Sequence, residues 1–347
     1  MRHTVVLIPG DGIGPEVSEA ARFVLREAGA EIEWVVRLAG LAAIEQGASE
    51  TLPRETVESV QQHRVALKGP CTTPIGEGFT SVNVALRKRL NLFGAVRPVR
   101  SLEGVPTRFS DPGVDIVIVR ENTEGLYAGI ENQITPGVVT SLKVVTEEAS
   151  RRIARFALDY AVSRGRHKVT VLHKANIMKL GDGLFIRCCR EEAAGYEGRV
   201  EYEEVIIDAG CMRIVQRPED FDMLLCENLY GDVMSDLCAG LVGGLGVTPG
   251  ANFGGDHCAV FEAVHGSAPD IAGQGVANPL ALIMSGVMLL RHLAASTGDE
   301  TCQVVADRIR DAYNAALVRG EKTRDLGGGL GTMEFAEAIA RQLRVEA

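Results

Sequence analysis

Asp232 and Asp236 stand four residues apart within the stretch Asn228 to Gly244, Asn-Leu-Tyr-Gly-Asp-Val-Met-Ser-Asp-Leu-Cys-Ala-Gly-Leu-Val-Gly-Gly. On a helix this spacing puts both carboxylates on one face, a turn apart, where they repel. An acidic helix start would explain Asp232, since negative charge is favoured there. It explains Asp236 poorly. A hard divalent cation held by oxygen ligands explains both. The pair follows Phe221 to Cys226, an apolar run that reads as a buried strand. Gly231 reads as the break after that strand, and a helix is expected from Asp232 with Val233, Leu237 and Leu241 along one side.

Positive groups recur in similar places. Arg120 follows the apolar strand Val114 to Val119, and Lys174 follows the strand Lys168 to Leu172. Asp208 follows the run Val205-Ile206-Ile207. Arg120, Lys174, Asp208 and Asp232 are therefore all expected at or just beyond strand ends, where one crevice could collect them. Arg97 precedes Pro98, and Arg87 lies in a basic triplet on a helix expected over Val84 to Leu90. Ser81, Asn83 and Arg87 point at least partly toward that helix's N-terminus, a natural anion site, although a basic triplet is also an ordinary solvated face. Guanidinium groups bind carboxylates in bidentate fashion. A small molecule with several carboxylates suits both this set and a divalent cation, which would polarise a hydroxyl or carbonyl oxygen. Lys174 and Tyr127 could move protons if their surroundings bring them toward neutrality.

The elements that position these groups alternate strand and helix. Thr4 to Ile8 is the first strand, followed by Pro-Gly-Asp-Gly-Ile-Gly-Pro-Glu from Pro9 to Glu16 and a helix to about Arg26. The glycines fall at Gly10, Gly12 and Gly14, and the dinucleotide fingerprint would need Gly or Ala where Pro15 stands. A tight turn with Pro15 in the helix's first turn is the better reading. The loop Lys68 to Gly76, rich in Gly, Pro and Thr, follows a short strand and is placed where a ligand would meet it. Tyr127 to Thr140 has no helical period and suits an extended hairpin arm. Pro249 to Asp256 and His265 to Gly273 read as loops, and the last helices are expected at Leu280 to Leu293, near Thr301 to Arg319, and at Thr332 to Val345.

Composition narrows the classes. The 347 residues are 46% hydrophobic, enough for a large core and two domains. A net charge of −10 argues against nucleic acid as a partner, and no basic amphipathic face suggests a membrane surface. The apolar run Leu280 to Leu290 is expected to be too short to span a bilayer. The eight cysteines have neither zinc-site spacing nor a secreted disulfide pattern, and the first residues do not form a signal peptide. A reduced cytoplasm is the expected compartment.

Several motifs together resemble the β-decarboxylating dehydrogenases, the isocitrate/isopropylmalate dehydrogenase family. They are Ile8 to Glu16, Arg120-Glu121-Asn122-Thr123-Glu124-Gly125, His173-Lys174-Ala175-Asn176, Asn228 to Gly244, and His265 to Asp270. The resemblance implies an α/β fold of two interwoven domains that is not a Rossmann fold. Residues 1–98 plus 245–347 would form a large cofactor domain. Residues 99–244 would form a small substrate and dimerisation domain, with an arm at about 126–142. It implies Tyr127 and Lys174 as the catalytic pair, with Asp208, Asp232 and Asp236 as ligands of Mg²⁺ or Mn²⁺. Arg97 and Arg120 would grip the malate part of the substrate, with Arg87 alongside. The cofactor would meet His265, Gly266, Ser267, Ala268, Asp270, Ile271 and Asn278, with Thr72 at its nicotinamide end. Lys174 and Asp208 would enter the site from a second subunit, making the enzyme an obligate homodimer.

Within this family Ser81 and Asn83 resemble the pair by which isocitrate enzymes meet the third carboxylate, where isopropylmalate enzymes place apolar groups. A hydroxyl and an amide can donate to a carboxylate. Homoisocitrate, one methylene longer, differs by only about 1–3 kcal/mol in such a pocket. Asp270-Ile271 points to NAD, because an aspartate accepts both ribose hydroxyls and repels a 2′-phosphate. The expected activity is NAD-dependent oxidative decarboxylation of isocitrate, with homoisocitrate or isopropylmalate as alternative substrates. A non-catalytic regulatory subunit is a further alternative, and it conflicts with the presence of Tyr127, Lys174 and all three aspartates.

Overall fold

The computed structural model describes residues 1–72, 81–111 and 113–345. The distal part of the Gly/Pro/Thr-rich loop, 73–76, lies outside the described residues. In chain order the first elements are β1 (His3–Ile8), α1 (Gly14–Glu27), β2 (Ile32–Val36), α2 (Leu41–Glu45), α3 (Arg54–His63), β3 (Val65–Lys68) and α4 (Val82–Arg89). Then come β4 (Gly94–Arg100), β5 (Asp115–Glu121), β6 (Gly125–Thr135), β7 (Val138–Val144), α5 (Glu147–Ser163) and β8 (Lys168–His173). They are followed by α6 (Gly181–Ala193), β9 (Glu201–Ile206), α7 (Ile207–Gln216), β10 (Met223–Cys226) and α8 (Asn228–Val242). The chain closes with β11 (Pro249–Phe253), β12 (Ala259–Ala263), α9 (Leu280–Thr297), α10 (Glu300–Val318) and α11 (Thr332–Val345).

The chain forms two compact units. The first comprises Met1–Asn91, Leu102–Thr107 and Val242–Ala347, and the second Leu92–Ser101 and Arg108–Leu241. The expected division after residue 98 would cut β4 in two; here the strand stays whole inside the second unit.

In the first unit the strand order is β2-β1-β3-β12-β11, parallel except for the β11–β12 pair. β-branched and Leu side chains at Val5, Val6, Leu7 and Ile8 are buried, so β1 reads as a central strand of a doubly covered sheet. α9 is the core helix of this unit and runs for 18 residues, to Thr297, four beyond the expected end at Leu293. By length and composition it could cross a membrane, yet it packs on α1, α10, β11 and β12, with ten of its residues buried. β11 replaces an expected loop. Its Gly, Ala and Asn carry no strand signal, and pairing with β12 supplies the order: Pro249 sits opposite Ala263, and Asn252 donates to Glu262 at 2.7 Å.

In the second unit the order is β4-β5-β10-β8-β9, with only β4–β5 antiparallel. β6 and β7 form a separate antiparallel hairpin with register shifts, the expected arm. β4 carries no clear strand signal in the sequence, because Arg97, Pro98 and Arg100 interrupt its apolar pattern.

α8 differs most from expectation. It starts at Asn228, four residues before Asp232, and Gly231 lies inside it. Glu227 explains the early start: its carboxylate accepts the Tyr230 N–H at 2.9 Å and its carbonyl the Gly231 N–H at 2.8 Å. Val233 is 56% exposed; Leu241 is buried as expected, and Met234, Cys238 and Ala239 complete the buried face in place of Val233.

Candidate active site

In the second unit, α8 lies close to the end of β5. A Cβ on Gly231 would come within 2.6 Å of both Cβ and Cγ of Arg120, so only glycine admits this approach. Arg120 is 1% exposed. Its Nε and Nη2 donate to Asn228 Oδ1 at 3.0 and 2.7 Å, and its Nη1 donates to Asp232 Oδ1. The guanidinium also lies 4.9 Å from the centroid of the Tyr127 ring. Tyr127, on β6, donates its hydroxyl to the other oxygen, Asp232 Oδ2, at 2.5 Å. Arg97, on β4, donates to Ser235 and stands 3.7 Å from Asp232 and 3.5 Å from Asp236. The structure thus joins Arg97, Arg120, Tyr127, Asp232 and Asp236. Burial, reinforced by the hydrogen bond to Asp232, raises the Tyr127 pKa, so the phenol keeps its proton.

Lys174 and Asp208 form a second pair in the same unit. Lys174 Nζ donates to Asp208 Oδ1 at 2.5 Å, and this bond holds the Asp208 carboxyl below its usual range. Asp208 stands in the first turn of α7, two residues beyond the end of β9, as expected of a group at or just beyond a strand's end. It does not join the other two aspartates within one chain. Among the described residues, only His3, Asp299 and Cys302 bring three ligand atoms within 4.8 Å of one another. The single crevice expected to collect Arg120, Lys174, Asp208 and Asp232 is therefore divided between two clusters here. Buried Asp182 fixes the lysine: it accepts the Lys174 backbone N–H at 2.6 Å and the Lys143 ammonium at 2.6 Å. Lys143 also lies 3.7 Å from Glu227, the residue that starts α8. Asn228, Ser235, Asp182, Lys143 and Glu227 are absent from the sequence reading. Only the proximity of Asn228 and Ser235 to the aspartates hinted at them.

In the first unit, the glycine-rich turn after β1 serves as a junction between loops. Asp11 accepts backbone N–H groups from Leu41, Ala42 and Thr72 at 3.0, 2.8 and 2.6 Å. The Ile13 N–H donates to the Ser267 carbonyl, and a Cβ on Gly12 would meet that oxygen at 2.0 Å. Thr72 and Ser267 share a 2.5 Å hydroxyl contact, which brings the two expected cofactor segments together. His265 shares a 3.0 Å hydrogen bond between Nδ1 and the Gly266 carbonyl, burial lowers its pKa, and its buried Nε2 finds no partner. Gly266 faces open space, Ala268 has a left-handed φ of 37°, and Asp270 and Ile271 lie in the short turn Pro269–Ile271 with Asp270 exposed. Asn278, by contrast, is occupied within the protein: it donates to Asp325 at 2.9 Å and accepts from Leu280 N–H at 2.9 Å. Its side chain pins the loop to the start of α9.

The same unit holds α4. Ser81 occupies its N-cap position without a side-chain capping bond, and Asn83 Oδ1 is buried without a partner. Arg87 is buried and lies in the field of Glu262. Glu262 itself pairs with the buried Lys68 at 2.6 Å. Burial alone would raise the glutamate's pKa; Lys68, Arg87 and Asn252 overcome this and keep it ionised.

The donors fit the two implied groups in kind. Asp232, Asp236 and Asp208 are carboxylates, the donors a hard Mg²⁺ or Mn²⁺ prefers. The unpaired His265 Nε2 and the exposed Asp270 carboxylate are acceptors suited to a ligand rich in hydroxyl and amino donors.

The family model for isocitrate/isopropylmalate dehydrogenase matches residues 4–339. The chain is 50% identical over 341 residues to isocitrate dehydrogenase [NAD] catalytic subunit 5, mitochondrial, of Arabidopsis thaliana, covering 98% of this chain and 88% of that one. It is also 50% identical over 315 residues to the chloroplastic 3-isopropylmalate dehydrogenase of Solanum tuberosum, covering 91% and 85%. The crystal structure of isocitrate dehydrogenase from Methylococcus capsulatus superposes with a TM-score of 0.91 at 47% identity, covering 99% of each chain.

Proposed function

Since the chain belongs to the isocitrate/isopropylmalate dehydrogenase family, we propose that it catalyses the NAD-dependent oxidative decarboxylation of isocitrate to 2-oxoglutarate and CO₂, as a homodimer using Mg²⁺ or Mn²⁺. The observation that carries this reading is Asp232, which receives Arg120 on one oxygen and the Tyr127 hydroxyl on the other. A proton donor, a carboxylate-binding guanidinium and a cation ligand are thereby held at one point.

Asp232 and Asp236 would hold the cation together with Asp208 of a partner subunit. When bound, the cation would polarise the substrate's hydroxyl and stabilise enolate charge. Arg97 and Arg120 neutralise the two aspartates in the free chain. A cation taking over that role would leave the guanidiniums to bind substrate carboxylates. Lys174, oriented through Asp182 and beside Asp208, accepts the hydroxyl proton at Nζ in its neutral amine form as C2 is oxidised. Tyr127 retains its proton and delivers it to C3 after CO₂ departs.

Asp270 supports NAD, since its exposed carboxylate can accept two ribose hydroxyls and repels a phosphate. Ser81 and Asn83 support isocitrate. Their polar groups open α4, and an alkyl tail would leave them unpaired. The retained Tyr127, Lys174 and aspartates support a catalytic over a regulatory role. Reduced cofactor formation should be measured side by side with isocitrate, homoisocitrate, isopropylmalate and tartrate, and with NAD and NADP. Isocitrate with NAD should give the highest kcat/KM. A higher value for another substrate or for NADP would displace the assignment, and an inactive purified homomer would favour the regulatory reading.

A further inference from the structure

Far in sequence from the catalytic residues, His3, Asp299 and Cys302 bring an imidazole nitrogen, a carboxylate oxygen and a thiol sulfur within 4.8 Å of one another. We propose that this trio is a binding site for a borderline transition-metal ion, Zn²⁺ foremost. The three residues lie in the first unit, and each is held by its element. His3 opens β1, and its backbone N–H is fixed to the Glu31 carbonyl at 2.9 Å. Asp299 caps α10 through Oδ1, which accepts the Thr301 N–H at 3.1 Å. Its Oδ2 lies 2.9 Å from His3 Nε2. Cys302 is the third residue of α10, where burial and the neighbouring Asp299 carboxylate raise the thiol's pKa, so an ion would have to displace its proton. His3 and Cys302 are buried, and the Asp299 side chain is only 9% exposed.

The donor set selects the ion. Nitrogen, sulfur and one oxygen suit Zn²⁺ and its neighbours, whereas Mg²⁺ takes oxygen alone. Bonds of about 2.0–2.3 Å place tetrahedral ligands roughly 3.3–3.8 Å apart. The 2.9 Å His–Asp contact would widen slightly, and the thiol, within 4.8 Å of both atoms, would close on the ion. A cavity of about 190 Å³, lined by Gly29, Ala30, Glu31, Asp299, Thr301 and Cys302, gives access and leaves room for water or Glu31 as a fourth ligand. The Met1 amino group, 3.2 Å from Asp299 Oδ2, would be displaced from that oxygen. The ion would tie the start of β1 to the start of α10, two elements joined in sequence only through most of the chain. Binding would release the thiol proton.

Co²⁺ is the probe that separates this site from the carboxylates, because only a thiolate ligand gives a sulfur-to-cobalt charge-transfer absorption in the near ultraviolet. One equivalent of Co²⁺ is added to the full-length protein in excess Mg²⁺, which occupies oxygen sites. The expected result is that absorption, bleached by one equivalent of Zn²⁺, absent in Cys302→Ser and weakened at least tenfold in His3→Gln. Both variants should keep isocitrate turnover in Mg²⁺. A wild-type protein without the band, or a Cys302→Ser protein that retains it, overturns the proposal. If Cys302→Ser does not fold, an undiminished band in His3→Gln overturns it equally.

Discussion

Asp232 holds contacts to Arg120, Tyr127 and Arg97, so its loss should be felt in two quantities that can be separated. Asp232→Asn keeps an oxygen for Arg120 but removes the charge a cation needs. The metal concentration for half-maximal rate should rise about tenfold or more. Stability should fall by about 1–3 kcal/mol, because a buried guanidinium loses a charged acceptor while keeping Asn228. Initial rates against metal concentration, with urea unfolding alongside, check both; an unchanged metal dependence would remove Asp232 from the ligand set. At Tyr127, burial and the Asp232 bond keep the proton on the phenol to higher pH than usual. Tyr127→Phe should lower overall decarboxylation by about 10²–10⁴-fold. Reduction of the β-keto acid intermediate, which needs no proton at C3, should suffer less. Equal losses in the two half-reactions would refute the role given to the tyrosine.

At the scale of elements, the position of α8 depends on Gly231. Gly231→Ala gains about 1 kcal/mol of helix propensity. It also places a methyl 2.6 Å from the stem of a buried arginine, where no flexible end can yield. The steric cost, about 1–3 kcal/mol, should win and displace Asp232 as the helix shifts. Thermal unfolding and kcat should both fall, and a stabilised, fully active variant would disprove the close-approach argument. Asp222 joins two strands of the second unit. It accepts Arg166 at 2.8 Å and the backbone N–H groups of His167 and Lys168 at 2.6 and 3.0 Å, at the start of β8. Burial would raise its pKa, but these bonds lower it below the ordinary value. A depressed carboxyl stabilises the fold above its unfolded pKa, about 3.9, and that contribution fades as pH falls through the folded value. Asp222→Asn should therefore cost about 1–3 kcal/mol near neutrality and progressively less in acid. Urea midpoints across that range test this; a difference that grows on acidification would reverse the assignment.

For the whole molecule, the division of the aspartates is the central result. Asp208 is bonded to Lys174, while Asp232 and Asp236 face Arg97 and Arg120. If a complete site takes Lys174 and Asp208 from a partner, two inactive variants should repair each other. Lys174→Met and Asp232→Asn, denatured together and refolded, should regain roughly a quarter of wild-type activity, the share of intact sites in randomly mixed symmetric dimers. No recovery, with mixed dimers verified by mass, would place the whole site within one chain.

The sequence by itself determined the alternation of strand and helix, the co-facial pair Asp232 and Asp236, and the failure of the dinucleotide fingerprint at Pro15. Each depends on local period or turn chemistry, so neighbouring residues suffice to read it. Family motifs extended that reading to most of the candidate site. Tertiary structure decided the rest. α8 begins at Asn228 because Glu227 caps it, and Gly231 is required by Arg120, whose bond to Asp232 joins residues 112 apart. β11 is a strand because β12 pairs with it, despite a composition that reads as loop. Asp182 positions Lys174, Asp11 ties the start of α2 to the loop at Thr72, and Lys68 is buried against Glu262. These polar groups leave no periodic trace. Their roles come from burial that obliges each to find a partner, and the partner's place is set only when distant strands come together.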